Sequence, residues 1–302
     1  MKTKIFGFLI LLLAAIGLAS STILMKTIPQ IAILDPSHVS IWRFVIAGVS
    51  FWVVTLIFQP KKILQKGIPF KFLFLGAVFG VAGFSAVFAL DYLPSSLYII
   101  ILYIFPSLVV LYTLIAGKPV PRLIWLGLPL TFLGLFLTVF DFGSLLAIDP
   151  IGFMITIINA LTTGTYFILS ERFFQGRESK SRGTLWMLTG ALVFGLLWIP
   201  FMGLRTPGSL LGWLLIFILG IFGTLLPLLL INVGLQLTGA ARGSVIVSLQ
   251  PVFAVLFSTL FLGERLTRQQ WLGGVLVVAA VILLQLSDDR HKNGHEESRN
   301  HQ

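Results

Sequence analysis

Few side chains in this sequence can do chemistry, and most of those sit inside long apolar runs. Arg43, in "SIWRFVIAG", is the one formal charge well inside such a run. Asn159, Thr163 and Tyr166 fall at i, i+4 and i+7, which puts all three on one face of a helix. Ser244 and Ser248 repeat the i, i+4 step, and Tyr103 and Asn232 add a phenol and an amide in two further runs. A guanidinium attracts a carboxylate or another anion, or caps a backbone carbonyl, while amides and hydroxyls orient a small polar molecule by hydrogen bonding. These eight residues are the candidate substrate-binding set. Each has a second reading. Arg43 lies a few residues from the end of its run and can snorkel to lipid headgroups. Asn159 and Thr163 can hold helices to one another, and serines can bond the carbonyls of their own helix.

Bond-breaking chemistry has less support. The histidines are His38, His291, His295 and His301, three of them in a polar tail, and there is no cysteine. Disulfides, thiolate metal sites and cysteine nucleophiles are therefore excluded, and no catalytic residue, metal ligand or cofactor is assigned. Gly76, Gly80 and Gly83, like Gly239 and Gly243, lack the lysine and hydroxyl that a phosphate-cradling loop carries after its glycines. They suit close helix approach instead. Asp91 and Glu264 stand at the ends of apolar runs, and Asp35, Asp141 and Asp149 between them. A deeply placed carboxylate that alternates between a proton and a cationic ligand is thus not seen.

The elements that must hold these residues follow from composition. The chain is 57% hydrophobic and 11% charged, with mean hydropathy +1.00, too apolar for a domain whose surface faces water. A helix needs about 20 residues to cross roughly 30 Å of hydrocarbon. Ten runs qualify: Ile5–Met25, Val39–Phe58, Phe72–Leu90, Ser95–Ala116, Leu123–Phe140, Ile151–Ser170, Gly183–Leu204, Gly212–Val233, Gly243–Gly263 and Gln269–Ser287. They do not alternate apolar with polar residues as barrel strands do, so the predicted fold is an all-α membrane protein with ten transmembrane helices. Lys2 and Lys4 ahead of the first run suit a signal peptide, but that run is long for one and more spans follow, so it reads as an uncleaved helix.

The net charge of +10 is a matter of placement rather than of nucleic-acid binding. With the N-terminus inside, sixteen of the 21 basic residues fall in cytoplasmic segments, Lys118, Arg177 and Arg182 among them. Four fall outside (Lys26, Arg205, Arg265 and Arg268), and Arg43 lies within a span. That asymmetry predicts cytoplasmic termini in an inner (plasma) membrane, with the basic faces against anionic lipid. No soluble basic module interleaved with stacking aromatics is present to take nucleic acid.

The chain also repeats itself. Pro106 and Pro251 stand 145 residues apart (251 − 106), with Val110, Leu111, Tyr112 and Thr113 recurring as Val255, Leu256, Phe257 and Ser258. One residue of slippage later, "GKPVPRLIWLG" aligns with "GERLTRQQWLG", and Gly7–Phe8 echoes as Gly152–Phe153. The chain reads as one five-helix unit written twice, residues 1–145 and 146–287, followed by a disordered cytoplasmic tail, 288–302. Five is odd, so the second unit is predicted to be inverted in the membrane. Inverted repeats are a common basis of alternating access. Pro106 and Pro251 free a carbonyl and bend their helices. The bends are hinges beside a central site, or packing kinks remote from it.

At these residues the sequence resembles the EamA family of the drug/metabolite transporter superfamily. The proline in the fourth helix of each unit and the turn before "WLG" carry the resemblance, the second copy, "FLGERLTRQQWLGG", more closely than the first, where Lys118 replaces the family's frequent glutamate. The resemblance implies a secondary transporter that exports small metabolites such as amino acids or related compounds; the inverted repeat points to alternating access, and the expected partners are the substrate and membrane lipids, with the chain a monomer or homodimer. A channel or receptor is the alternative, and a membrane-embedded enzyme comes after both.

Overall fold

The structure, a computed structural model, describes residues 2–58, 69–93, 95–118, 120, 123–139, 149–175, 180–262 and 267–281. Glu264 and the predicted tail lie outside these residues. Helices fill nearly all of the described chain, because backbone groups in hydrocarbon have no water to bond and must be satisfied within the segment. In order they are α1 (Lys2–Ala32), α2 (Pro36–Phe58), α3 (Phe70–Tyr92), α4 (Ser95–Leu102), α5 (Phe105–Ile115), α6 (Ile124–Val139) and α7 (Pro150–Phe174). Then come α8 (Lys180–Leu196), α9 (Ile199–Met202), α10 (Leu210–Gly220), α11 (Leu226–Thr238), α12 (Ala240–Val247), α13 (Gln250–Leu262) and α14 (268–281).

Eight stretches among the described residues are long and apolar enough to cross a membrane. Where the fifth and tenth spans were predicted stand α6 and α14, whose described residues end at 139 and 281. Several boundaries differ from the sequence-based expectation, two of them at basic residues. α1 continues past Met25 to Ala32, so Lys26 lies within a helix rather than a loop. No residue stops the helix before Ile33, whose φ of 51° ends it, with Leu34 N bonded to Pro29 O at 3.1 Å. α8 starts at Lys180, ahead of Gly183, which brings Arg182 into a helical first turn and buries it.

Proline explains the interruptions. It lacks the donor for the carbonyl four residues back, and its ring presses on that carbonyl. α4 ends at Leu102, four residues before Pro106; α12 ends at Val247, four before Pro251; α8 ends at Leu196, four before Pro200. The two central breaks are equivalent. Ser95–Leu102 and Ala240–Val247 are offset by 145 at both ends (240 − 95, 247 − 102). The tightened turns match as well: Ile104 N bonds Ile101 O at 3.2 Å, and Leu249 N bonds Ile246 O at 3.1 Å. At Pro227 the chain bulges instead, through a π-helical turn, Ile221–Leu225, in which the Thr224 hydroxyl takes up Leu219 O at 3.1 Å.

The helices pack across the halves. α1 lies along α11, and α3 lies along α7 and α8. At Gly76 a Cβ would run into the carbonyl of Met187 and come within 2.8 Å of Ala191 N, so α3 touches the α8 backbone directly. The largest core cluster draws Leu11, Phe72, Val109, Phe167, Leu188 and Val245 from six helices across both halves.

Candidate functional site

α2, α3, α4 and α7 bring a first polar group together. Arg43, in the second turn of α2, lays its guanidinium over the Phe44 ring, 4.7 Å from the centroid, and reaches across α3 at Gly83. A Cβ on Gly83 would stand 2.9 Å from both Arg43 Nη2 and Phe44 Cζ, so a larger residue there would make one of them shift. Arg43 is directed into the protein, not out to lipid. Its Nε is buried without a hydrogen-bond partner, and no carboxylate pairs with it among the described residues. Tyr98, on α4, lies within electrostatic reach of this cation. Asn159 Nδ2 donates to Tyr98 Oη at 2.9 Å, and Thr163 Oγ1 donates to Asn159 Oδ1 at 3.0 Å.

A second group lies further along α7. Tyr166 Oη and Ser170 Oγ both donate to Asn232 Oδ1 of α11, each at 2.8 Å, while Asn232 Nδ2 donates to Thr184 Oγ1 of α8 at 3.3 Å. This amide joins three helices and is nearly enclosed. The predicted face of Asn159, Thr163 and Tyr166 is thus shared between two clusters, Tyr166 belonging to the second.

The third group joins the helix breaks. Tyr103, in the turn between α4 and α5, donates through Oη to Gln250 Oε1 at 3.2 Å; Gln250 opens α13, and its Nε2 donates to Thr22 Oγ1 of α1 at 3.3 Å. Pro106 and Pro251 each stand one residue inside the helix that follows a break, at the second positions of α5 and α13. Ser244 and Ser248 are buried and bond their own helix, Ser244 Oγ to Ala241 O at 2.9 Å and Ser248 Oγ to Ser244 O at 3.0 Å. Aromatic rings fill the space between clusters: Phe105 packs on Tyr103 and Phe167 at 5.6 and 5.2 Å, and Phe79 on Tyr166 at 5.2 Å.

Each end of the bundle carries an ionic tie. At the end that holds the start of α1, Lys118 Nζ lies 2.8 Å from Glu171 Oε1, and Glu171 Oε2 accepts from Ala240 N at 3.1 Å. Gln175 Nε2 adds a 3.2 Å bond to Oε1. At the other end Asp35 Oδ2 lies 3.6 Å from Arg205 Nη1 and 3.5 Å from His38 Nδ1, and Trp42 Nε1 donates to Arg205 O at 2.9 Å. Glu171 escaped sequence reasoning because its span was taken to end at Ser170. Tyr98 and Gln250 escaped it because their partners, Asn159 and Tyr103, stand 61 and 147 residues away.

Polar side chains enclosed by apolar helices, some of them interrupted, are the equipment for holding a small polar molecule away from lipid. The EamA-like transporter family matches residues 5–140 and again 150–286. The chain belongs to that family. As an EamA-like protein it is a multi-pass membrane protein, and its relatives carry transporter names. The uncharacterized inner membrane transporter YicL of Salmonella typhimurium is 26% identical over 94% of this chain and 96% of its own. The uncharacterized transporter YdfC of Bacillus subtilis is 24% identical over 83% and 82%. An uncharacterized transporter of Archaeoglobus fulgidus is 26% identical over 61% of this chain, a match that spans 64% of the archaeal protein, less than two thirds of it. A solved crystal structure, 20% identical, superposes with TM-score 0.78 over 96% of this chain and 98% of its own, a likeness of fold. The first EamA match takes in Arg43, Tyr98 and Tyr103; the second takes in Asn159, Thr163, Tyr166, Asn232 and the two serines.

Proposed function

We propose that this EamA-family protein is a secondary carrier that exports a small metabolite, an amino acid or a related compound, across the inner membrane by alternating access. The observation that carries the reading is the pairing of two proline-interrupted helices at one offset, with Tyr103 of one break bonded to Gln250 beside the other. Interrupted helices at the interface of two repeats are where transporters of this architecture bind their cargo.

The repeats are read as inverted, and ten helices as spans. The start of α1, at Gly7, packs on Leu237 and Thr238, which adjoin Gly239 and Ala240, and Ala240 N bonds Glu171 in the last turn of α7. The first helix of one unit therefore begins where the first helix of the other ends, as inversion requires. The equivalent contact exists too: Gly152 packs on Tyr92 and Leu93, at offset 145 throughout (152 − 7, 237 − 92, 238 − 93). In alternating access the two ionic ties open in turn, the Glu171 tie on the cytoplasmic side and the Asp35 tie on the outer side.

The test is counterflow of labelled metabolites in proteoliposomes holding the purified protein, with and without an imposed pH gradient. Saturable counterflow supports the carrier; an unsaturable ion conductance overturns it in favour of a channel. Topology is tested in the cysteine-free chain by single substitutions, Lys118→Cys and Arg268→Cys, with a membrane-impermeant maleimide. Inverted repeats require labelling from opposite sides; labelling from the same side overturns inversion.

A further inference from the structure

We infer that His38 is a proton-binding site that works the outer latch: a proton taken up from outside frees Arg205 from Asp35 and lets that end open. This rests on the carrier reading, with its topology and its two ties that open in turn. His38 is 2% exposed, yet neither ring nitrogen makes a hydrogen bond. Its Nδ1 stands 3.5 Å from Asp35 Oδ2, and Arg205 Nη1 reaches the same oxygen from between α9 and α10 at 3.6 Å. One carboxylate oxygen thus faces a permanent cation on one side and a titratable ring on the other.

The sign follows from charge. With His38 neutral, the turn between α1 and α2 presents the full Asp35 charge to Arg205, and their attraction holds the end closed. Histidine is the side chain whose charge ordinarily changes between about pH 5 and 8. Once the ring takes a proton, carboxylate and imidazolium cancel, and Arg205 meets a neutral pair. A buried imidazolium is also costly, and the cost falls when the turn lifts and water reaches it. Ile33 pushes the same way: this β-branched residue is held at φ 51°, in the left-handed region, and is 88% exposed, so a freed turn lets it relax. Asp35, itself exposed, gives the proton a way in from water.

The neighbouring charges leave this role to His38. α8, α10 and the π-helical turn pack on α2 and bring no ionisable side chain to this end. α1 carries Lys26, and α3 ends in the exposed Asp91 and Tyr92; lysine, aspartate and tyrosine ordinarily titrate outside the histidine range. At the opposite end the Glu171 tie is made with Lys118, Gln175 and the Ala240 amide, a set without histidine. Mild acid therefore acts on one end of the protein.

The experiment measures distances between paired spin labels by double electron–electron resonance in the purified full-length protein in nanodiscs, without cargo, at about pH 8 and about pH 5. Ile31→Cys and Leu210→Cys, exposed positions near the outer tie, form the test pair in this cysteine-free chain, and Phe6→Cys and Ile115→Cys form the cytoplasmic reference pair. The expected result is a longer outer distance whose share rises severalfold at the lower pH, with the reference distance unchanged. His38→Gln keeps the outer end closed at both values. His38→Leu, neutral and apolar at a buried position, does the same and serves if His38→Gln fails to fold. Arg205→Gln, at an exposed position, opens the end at both values.

An outer distance that ignores pH or shortens in acid overturns the proposal. So does an equal change in the reference pair, a response that survives replacement of His38, or a closed outer end in Arg205→Gln. Counterflow separates the two readings. An acid-opened outer end in a protein that exchanges no metabolite leaves the latch and sinks the carrier, whereas exchange without an acid response at that end leaves the carrier and sinks the latch.

Discussion

Tyr103 Oη lies 3.2 Å from Gln250 Oε1, and with that bond the break between α4 and α5 is tied to the start of α13, just beyond the break that follows α12. Each side chain comes from the turn or first residue next to a proline-induced gap, so the contact reports on how the two gaps face each other. Tyr103→Phe and Gln250→Leu are expected to lower stability by about 1 kcal/mol each. The double variant should lose less than the two together, since either change removes the same bond. Detergent-titrated unfolding measures the cycle; full additivity would mean that the two residues act independently.

The Glu171 carboxylate serves three donors at once, Lys118 Nζ, Gln175 Nε2 and Ala240 N, and its side chain is 13% exposed against 40% for Lys118. Removing the acceptor therefore costs more than removing one donor. Glu171→Ala is expected to destabilise by about 1–3 kcal/mol, and Lys118→Ala by no more than about 1 kcal/mol. Raised salt should narrow the difference between wild type and Lys118→Ala without removing the effect at Glu171. Equal losses from the two substitutions would place the energy in the ion pair alone.

Close approach of α3 to α8 depends on Gly76. Gly76→Ala pushes a methyl into the Met187 carbonyl, and expected losses are about 1–3 kcal/mol or more, with reduced monodisperse yield on size exclusion. Gly208, which has open space around it, is the matched control, and Gly208→Ala should leave both measures unchanged.

Most of the fold was legible because its cause is local. Unbroken apolar runs specify helices, and Pro106 and Pro251 announce interruptions at one offset. Boundaries were less legible at Lys26 and Arg182, since a charge near the end of a run does not show where the helix that carries it starts or stops. The site was legible only where one helix carries the pattern, as with Asn159 and Thr163, which meet through a 3.0 Å bond. Tyr98 and Gln250 have no local signature. The serines had one, but i, i+4 spacing is equally what places Ser248 Oγ on the carbonyl of Ser244.

Asn232 separates packing from transport. Its amide is 1% exposed and bonded to Tyr166, Ser170 and Thr184, so Asn232→Leu strands buried hydroxyls and is expected to cost about 1–3 kcal/mol. Asn159→Ala, by contrast, frees only the Tyr98 and Thr163 side chains, and is expected to express normally and to slow counterflow. Normal counterflow in Asn159→Ala would remove that residue from the binding site.

The prolines test whether the gaps are hinges. Pro106→Ala returns an amide able to reach Leu102 O, and Pro251→Ala one able to reach Val247 O, so each heals the helix across its gap. A healed helix is at least as stable as the broken one, because it gains a backbone bond and loses the ring clash. If the gaps are hinges, counterflow should fall severalfold in both variants while the unfolding midpoint holds or rises. Equivalent hinges require similar falls. A loss at Pro106 alone would mean that motion is concentrated in the first half, and unchanged exchange in both would make the gaps packing features.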